Sequence, residues 1–435
     1  MLSQWLELFG WANLGSANSA GQLLEGSPLD RFFLTALAAI AFVVLAQRRQ
    51  QVLGILRANG PLIAFILYCG LSTLWSDYTD VAFKRWIKLL SDLAMVLIVL
   101  TEREPATAVK RVLTRVGFLL LPGSVLLIKY FPDLGGGWSR WGGFTGYTGV
   151  TLSKNELGGI CLLFGIGFAW RFVDAYWQPR RKGRMGALLV HGSLAAMALW
   201  LLRVAGAMTA FSCFMIVIML LVLTSFRSFA RRRWILHAYV TSVLLVSFLA
   251  LFAGVGSGLV ETIGRDTTLT GRTAVWALVL RMTGNPLFGT GFESFWLGPR
   301  LEKIWQTYWW HPNEAHNGYI EVFLNLGWIG VLLLAILMFA AYRNAMRAYR
   351  NDRSTGMLRL AYFIVAVIYN FTESSIREMH PVWLFLLLAT IAVPNGWTRI
   401  TAKNEEPAPD LSDEMSMRSV EAAEQLPADS EAAFA

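Results

Sequence analysis

Two short polar segments hold the densest chemistry of the chain, at the two ends of a stretch of about 60 residues between apolar runs. One end carries Gly271-Arg272-Thr273, and the other carries Ala315-His316-Asn317. A guanidinium stays charged and binds phosphate oxygens in pairs. A neutral imidazole titrates near pH 6.5 and can accept a hydroxyl proton. The pattern therefore predicts anion binding beside a proton acceptor.

Both residues also allow a less specific interpretation. Arg272 could pair with a lipid phosphate, and His316 could be a satisfied polar residue at the membrane interface. Arg265 lies seven residues before Arg272 and could join it, or could form a salt bridge with a nearby acid. A zinc site of His311 and His316 with Glu314 is not predicted, because Pro312 interrupts the helical spacing and no further ligand is evident.

Further polar residues stand at the ends of other apolar runs. Lys154 and Asn155 follow a Gly-rich segment. Lys154 is a candidate second phosphate contact or a snorkelling lysine, and Asn155 a candidate ligand of sugar hydroxyls. Glu373, near the end of a late apolar run, could work in the same site or pair with Arg377. Ionisable residues at membrane depth are seldom without function, so their convergence on one face predicts a shared polar cavity.

The composition indicates a membrane protein. The chain is 55% apolar and 15% charged, with a mean hydropathy of +0.48, whereas soluble domains are about a quarter charged. The net charge of +9 combines −7 in residues 401–435 with +16 in the other 400 residues. This excess predicts membrane orientation and contact with anionic lipids or phosphates. Nucleic acid is not predicted, because no basic stripe lies on a soluble domain.

The predicted fold is an all-α, polytopic membrane protein of about 11–12 transmembrane helices with a large periplasmic loop containing short helices. Residues 29–255 are predicted to hold helices 1–8, and residues 317–397 helices 9–11. Arginine clusters follow helices 1, 3, 5, 7 and 9, so the positive-inside rule places them all in the cytoplasm. Residues 256–316 are then the large periplasmic catalytic loop. Residues 1–28 are predicted to be an interfacial or re-entrant segment, and the acidic residues 398–435 a disordered cytoplasmic tail.

Four motifs occur in order within about residues 60–395. They are Lys154-Asn155-Glu156-Leu157-Gly158, Leu269-Thr270-Gly271-Arg272-Thr273 with Asn285-Pro286-Leu287-Phe288-Gly289-Thr290-Gly291-Phe292, His316-Asn317-Gly318-Tyr319-Ile320-Glu321 with Leu326-Gly327-Trp328-Ile329-Gly330, and Asn370-Phe371-Thr372-Glu373-Ser374. Around a large external loop, this order resembles the O-antigen ligase and polymerase superfamily, most closely its exopolysaccharide-production branch.

The resemblance implies a bundle of about a dozen helices that transfers glycan from undecaprenyl pyrophosphate, without a nucleotide sugar, a cofactor or a metal. It implies that Arg272 and Arg265 bind the pyrophosphate. It also implies that His316 lies near the acceptor hydroxyl. In the predicted mechanism Glu321 orients the imidazole, and Asn317 is a candidate substrate contact.

One stretch departs from the family pattern. The family commonly has a basic residue in a Ser-Lys/Arg-Thr element at the start of a mid-chain helix, where this chain has Ala207-Met208-Thr209. Arg203, five residues before Met208, is the candidate that replaces this phosphate contact.

The predicted function is a membrane glycosyltransferase of the bacterial inner membrane. It would polymerise undecaprenyl-pyrophosphate-linked oligosaccharide repeat units at the periplasmic face, for exopolysaccharide or O-antigen synthesis. Its partners would be this lipid-linked donor, an acceptor glycan, membrane lipids and other polysaccharide-assembly proteins. The alternative is a ligase that transfers the glycan to lipid A-core or another acceptor. A transporter of lipid-linked glycan would need mid-membrane basic residues and an inverted repeat, and a non-catalytic scaffold would be consistent with Met208.

Overall fold

The computed structural model describes residues 28–138, 144–178, 183–226, 232–252 and 269–394, and these are almost entirely helical. Most of the predicted N-terminal interfacial segment and the whole acidic tail lie outside these ranges, as does Arg265. The helices in chain order are α1 (Pro28–Gln47), α2 (Arg49–Ala58), α3 (Gly60–Leu71), α4 (Thr79–Leu100), α5 (Pro105–Tyr130), α6 (Pro132–Gly135), α7 (Lys154–Tyr176), α8 (Arg184–Ala205), α9 (Met208–Ser225), α10 (Arg233–Phe252), α11 (Leu269–Arg281), α12 (Gly298–Thr307), α13 (Gly318–Asn351), α14 (Arg353–Tyr369) and α15 (Pro381–Thr390).

Five of the described helices are long and apolar enough to cross a membrane, namely α5, α7, α8, α9 and α13. Helices α1 and α2, bent by 95° at their junction, pass the same test only when the pair is counted as one broken span. Shorter apolar helices occur at Gly60–Trp75, Trp234–Leu249 and Pro381–Thr390. The all-α, multi-pass membrane architecture is thus confirmed, while the total of 11–12 spans stays a prediction.

Helix α7 lies at the centre of the bundle and packs against α5, α8, α9 and α14. Its Trp170 is fully buried and donates its indole N–H to the carbonyl of Ser354, which fixes α7 against the start of α14. Large apolar side chains on outer helices are exposed instead, among them Phe32, Leu119 and Phe339. Exposed apolar surface of this extent suits contact with lipid rather than water.

A small sheet precedes α7. Strands β1 (Gly136–Trp138) and β2 (Phe144–Tyr147) pair antiparallel, with Gly137 opposite Gly146. Helix α7 then begins at a capping motif, in which the Ser153 hydroxyl accepts from the Glu156 N–H and the Glu156 carboxylate accepts from the Leu152 N–H. Such reciprocal capping satisfies backbone donors that the first helical turn leaves free.

Helix α13 is broken at Gly327, where φ is 64° and ψ is −165°. The loop that follows α11 docks onto this break. The N–H groups of Thr290 and Gly291 donate to the carbonyls of Leu324 and Asn325, and the Trp328 N–H donates to the Pro286 carbonyl. The break therefore exposes backbone groups of α13 that a helix would satisfy itself, and the loop pairs with them.

The large loop also has a hydrophobic core of its own. Its centre contains Val275, Trp276, Phe295, Trp296 and Leu301, from α11, the docked loop and α12. The described part of the loop is therefore an ordered subdomain with short helices, as the prediction requires.

Candidate active site

The imidazole of His316 lies between two carboxylates. Its Nδ1 is 2.9 Å from Glu314 Oε1 and 3.6 Å from Glu373 Oε2. Both are ion-pair contacts rather than aligned hydrogen bonds. The His316 side chain keeps 25% of its surface exposed, so a second molecule can still reach the ring.

Arg272 joins the same cluster from α11. Its Nη1 donates to the Thr372 carbonyl at 2.6 Å, and its Nη2 lies 3.9 Å from Glu373 Oε1. Arg272 sits inside the first turn of α11 rather than before it, since the helix begins at Leu269. The structure thus brings together three predicted residues, His316, Arg272 and Glu373, from three separate parts of the sequence.

Two further charged residues complete the cluster, and the sequence did not identify either as a site residue. Glu314 contacts His316 with one oxygen and Arg377 with the other, at 3.0 Å. The result is an alternating chain of charges from Arg272 through Glu373, His316 and Glu314 to Arg377. The available signal was the position of Glu314, two residues before His316.

The cluster favours the protonated imidazole. Burial by itself lowers the pKa of His316, but Glu314 and Glu373 outweigh it and raise this pKa from 6.5 to about 9. For Glu314, burial raises the pKa, but His316 and Arg377 outweigh it and lower the pKa to about 2. Carboxylates that stabilise an imidazolium in this way also stabilise the product of a proton transfer to the ring.

Strained backbone surrounds the cluster. The φ values are 50° at His316, 52° at Glu293 and 59° at Met379, in the left-handed region that residues other than glycine rarely adopt. The buried carboxylate of Asp92 on α4 accepts from the Met379 N–H at 2.7 Å and fixes that turn. Strain held by surrounding contacts is typical of functional sites.

Glu321 and Asn317 have structural contacts instead of the predicted ones. The Glu321 carboxylate accepts from the Trp296 indole, at 3.0 and 2.8 Å, and from the Ala315 N–H. It therefore fixes the backbone next to His316, while Glu314 contacts the ring. Asn317 is fully buried, where it caps α13 and donates to the Phe371 carbonyl. Both the oxygen and the nitrogen of its amide are thus engaged by the fold.

The remaining predicted residues lie at the neighbouring ends of α7, α8 and α9. Lys154 is exposed, and its aliphatic stem packs near Gly146 of β2. The carbonyl of Ala205, at the end of α8, also lies near Gly146. Arg203 is exposed on the last turn of α8, and Asn155 is half-buried on the first turn of α7.

The Ala207-Met208-Thr209 element reaches the cluster through Thr209. The Thr372 hydroxyl donates to the Thr209 hydroxyl at 2.9 Å, and the Thr372 carbonyl is the one that accepts from Arg272. Met208, the adjacent residue, is 43% exposed. The start of α9 is therefore part of the site's surroundings.

The cluster also offers three ligand atoms within 4.8 Å of one another, from Glu314, His316 and Glu373. Such a set could hold a divalent cation. A histidine ligand must be deprotonated at the coordinating nitrogen. Here Arg272 and Arg377 already approach the same two carboxylates. The donor set therefore suits protein cations better than a metal.

Comparison with known proteins finds two similarities. Residues 190–335 match the family model described as O-Antigen ligase. The exopolysaccharide production protein ExoQ of Rhizobium meliloti (strain 1021) is 24% identical over 351 residues, which are 78% of each chain. The resemblance that the motifs predicted is confirmed. The chain is thus an all-α, multi-pass membrane protein, and its residues 190–335, which include Arg272, His316 and Glu321, are similar to the O-Antigen ligase family.

Proposed function

We propose that this protein is a glycosyltransferase of the bacterial inner membrane that polymerises undecaprenyl-pyrophosphate-linked oligosaccharide repeat units at the periplasmic face. The observation that carries the proposal is the cluster of Arg272, Glu373, His316 and Glu314, because it joins an anion-binding group to a proton-accepting group. The relative named as an exopolysaccharide production protein favours polymerisation over other glycan transfers.

The pyrophosphate of the donor binds at Arg272, with Arg265, Arg203 and Lys154 as further contacts. Support comes from the link between Thr209 and Thr372, which joins the end of α8 and the start of α9 to the Arg272 contact. Guanidinium groups bind phosphate oxygens strongly in a partly buried site. Asn155, in the first turn of α7, and Glu373, four residues after the end of α14, contact the sugar.

The apolar tail of the donor has a suitable cavity close by. A cavity of about 410 Å³ lies between α10, α13 and α14, and its lining includes Leu244, Leu334 and Val367. Tyr319, three residues after His316, lines the same cavity and donates its hydroxyl to the Val367 carbonyl. A lipid chain in this cavity would place an attached pyrophosphate at the polar end of α13.

The transfer proceeds in one inverting displacement. The acceptor hydroxyl oxygen attacks the anomeric carbon, the bond from that carbon to the pyrophosphate oxygen breaks, and lipid pyrophosphate leaves. The hydroxyl proton passes to Nε2 of His316, while Glu314 holds Nδ1 and stabilises the imidazolium. Arg272 stabilises the negative charge that builds on the leaving group. Neither a cofactor nor a metal takes part in this scheme.

A ligase is the second candidate, because the matching family model is described as O-Antigen ligase. It would use the same donor chemistry and differ in its acceptor, lipid A-core or another molecule. The two activities are separated by the products that form with and without an added acceptor.

The test uses purified full-length protein with a synthetic undecaprenyl-pyrophosphate oligosaccharide and a chelator, without nucleotide. A ladder of repeat units with release of undecaprenyl pyrophosphate supports the polymerase, and release that needs a separate acceptor supports the ligase. Arg272→Ala and His316→Ala should each reduce release by roughly a hundredfold or more. Arg281→Ala on the same helix is the matched control, since Arg281 is exposed at the opposite end of α11. Wild-type release by both active-site variants would refute the assignment.

A further inference from the structure

A second polar cavity lies where α5 begins. Helix α5 has 26 residues and is among the helices that are long and apolar enough to cross a membrane. At about 1.5 Å per residue it extends roughly 39 Å, which is enough to span a membrane core. Beyond its other end, strand β2 packs beside Lys154, at the end of the bundle that Thr209 links to the candidate active site. The cavity, of about 530 Å³, is lined by Arg48, Gln51, Thr101, Glu102, Arg103, Glu104, Thr107, Ala108 and Arg111.

The charges that line the cavity leave one positive charge in excess. Arg48 pairs with Glu102 at 2.8 Å and donates to the Thr101 hydroxyl at 3.2 Å, so this pair is neutral. Arg103 and Arg111 then face the single acid Glu104. All three are exposed, and Glu104 makes no side-chain cap on α5.

The first turn of α5 adds to this positive potential. Thr107 and Ala108 lie in that turn and line the cavity. The N-terminal end of a 26-residue helix carries partial positive charge and free backbone N–H groups. Hydroxyl and amide donors from Thr107 and Gln51 complete a lining that suits an oxyanion.

The orientation and exposure of α2 indicate how deep the cavity lies in a membrane. Helix α2, which contributes Gln51, turns by 95° from the apolar α1. Ile55 of α2 packs into the core, whereas Leu53 is 49% exposed and Arg49 and Arg57 are exposed. A helix with this distribution lies along a membrane surface, with its polar side at the head groups. The cavity is therefore at head-group level.

We propose that this cavity binds a phosphate monoanion, and that its source is the phosphodiester of an anionic glycerophospholipid in the leaflet opposite the active site. One negative charge on the phosphodiester matches the one positive charge left on the cavity. A zwitterionic head group is a poorer match, because its own cation would face Arg103 and Arg111. The volume lies within the range of about 300–1,000 Å³ that small-molecule sites have.

The test measures binding to the full-length protein in neutral detergent by calorimetry. The probes are dioctanoyl phosphatidylglycerol, dioctanoyl phosphatidylcholine and inorganic phosphate. The variant is Arg103→Gln with Arg111→Gln. The matched control is Arg343→Gln with Arg347→Gln, two exposed arginines near the end of α13, outside the cavity. We expect phosphatidylglycerol to bind the wild type and the control alike, and the cavity variant about tenfold or more weakly.

The remaining arms separate the sources of the phosphate. If inorganic phosphate competes poorly with phosphatidylglycerol, the ligand is a lipid head group. If the two compete equally, the cavity is a phosphate site whose ligand is free phosphate and not a lipid. Equal binding of phosphatidylglycerol by the wild type and the cavity variant would overturn the proposal. So would equal binding of phosphatidylcholine and phosphatidylglycerol by the wild type. A melting curve for each protein without ligand shows whether the variant is folded.

Discussion

Two parts of the large loop contact α13, and they do so through different kinds of interaction. Around His316, contact is made by charged side chains that stay partly exposed. Around Gly327, contact is made by backbone groups and by glycines. Both parts contain motifs that are equally easy to recognise in the sequence. The first part requires charged side chains, whereas the second requires glycines and backbone hydrogen bonds.

The difference shows which motif positions perform chemistry and which build the scaffold. A Cβ added at Gly289 would lie 2.4 Å from the carbonyl carbon of Asn325, and one added at Gly327 would lie 2.3 Å from the Leu287 oxygen. Asn325 itself is buried and accepts from the N–H groups of Ser294 and Phe295. This region therefore holds the loop in place, so that the charged region can be assembled at the end of α13.

The largest expected effect belongs to the scaffold. Gly289→Ala introduces a side chain where φ is 70° and the Asn325 backbone leaves no space. Left-handed strain and overpacking each cost on the order of 1–3 kcal/mol. We expect a severe loss of folded protein, measured by size-exclusion chromatography in detergent, with activity lost in proportion.

Gly284→Ala is the control for this variant, since it lies in the same loop and an added Cβ would meet nothing within 4 Å. Equal folded yield of the two variants would show that the loop does not depend on the close approach at Gly289. His316→Ala in the charged region should leave the folded yield intact, so the folded yields of His316→Ala and Gly289→Ala can be compared directly.

Removal of one carboxylate should alter the pH dependence and preserve the fold. Glu314→Gln removes the nearest partner of Nδ1, so the pKa of His316 should fall from about 9 toward 6.5. With His316 as the base, the wild-type rate rises between pH 7 and 9 as the ring loses its proton. The variant should reach its plateau at a lower pH, with a maximal rate lower by about tenfold or more.

Stability gives a second measurement of the same contact. Because the folded-state pKa of His316 lies above the unfolded value of 6.5, the protonated ring stabilises the fold fully below pH 6.5 and this contribution is lost as the pH rises through about 9. The melting-temperature difference between wild type and Glu314→Gln should therefore narrow toward pH 9. Glu302→Gln, an exposed acid on α12, should show no such trend. A wild-type rate that falls from pH 7 to 9 would contradict the role of His316 as base.

Much of this fold follows from hydrophobicity alone. Most described residues of the two regions predicted to hold transmembrane helices, 29–255 and 317–397, are helical, because burial in lipid requires a helix that satisfies its own backbone. The break at Gly327 was not predicted, since it depends on backbone groups of a segment some 40 residues earlier. A continuous apolar pattern gives no sign of such a partner.

The site was predicted in part for a similar reason. Arg272, His316 and Glu373 stand out as polar residues at the ends of apolar runs, and the structure joins them. Glu314 and Glu321 are both close to His316 in sequence, and spacing does not distinguish which carboxylate contacts the ring. The left-handed φ of His316 decides it, because the turn places Glu314 beside Nδ1 while Glu321 binds the Ala315 N–H.

The smallest expected effect concerns the hydroxyl pair between Thr209 and Thr372. Thr209→Val keeps the shape of the side chain but leaves the Thr372 hydroxyl without its acceptor, at a cost of about 1 kcal/mol. Because the Thr372 carbonyl holds Arg272, the KM for the lipid-linked donor should rise a few-fold while kcat changes little. Thr209→Ser keeps the hydroxyl and should restore the wild-type KM. An equal rise in both variants would mean that the methyl group, and not the hydrogen bond, connects α9 to the charged region.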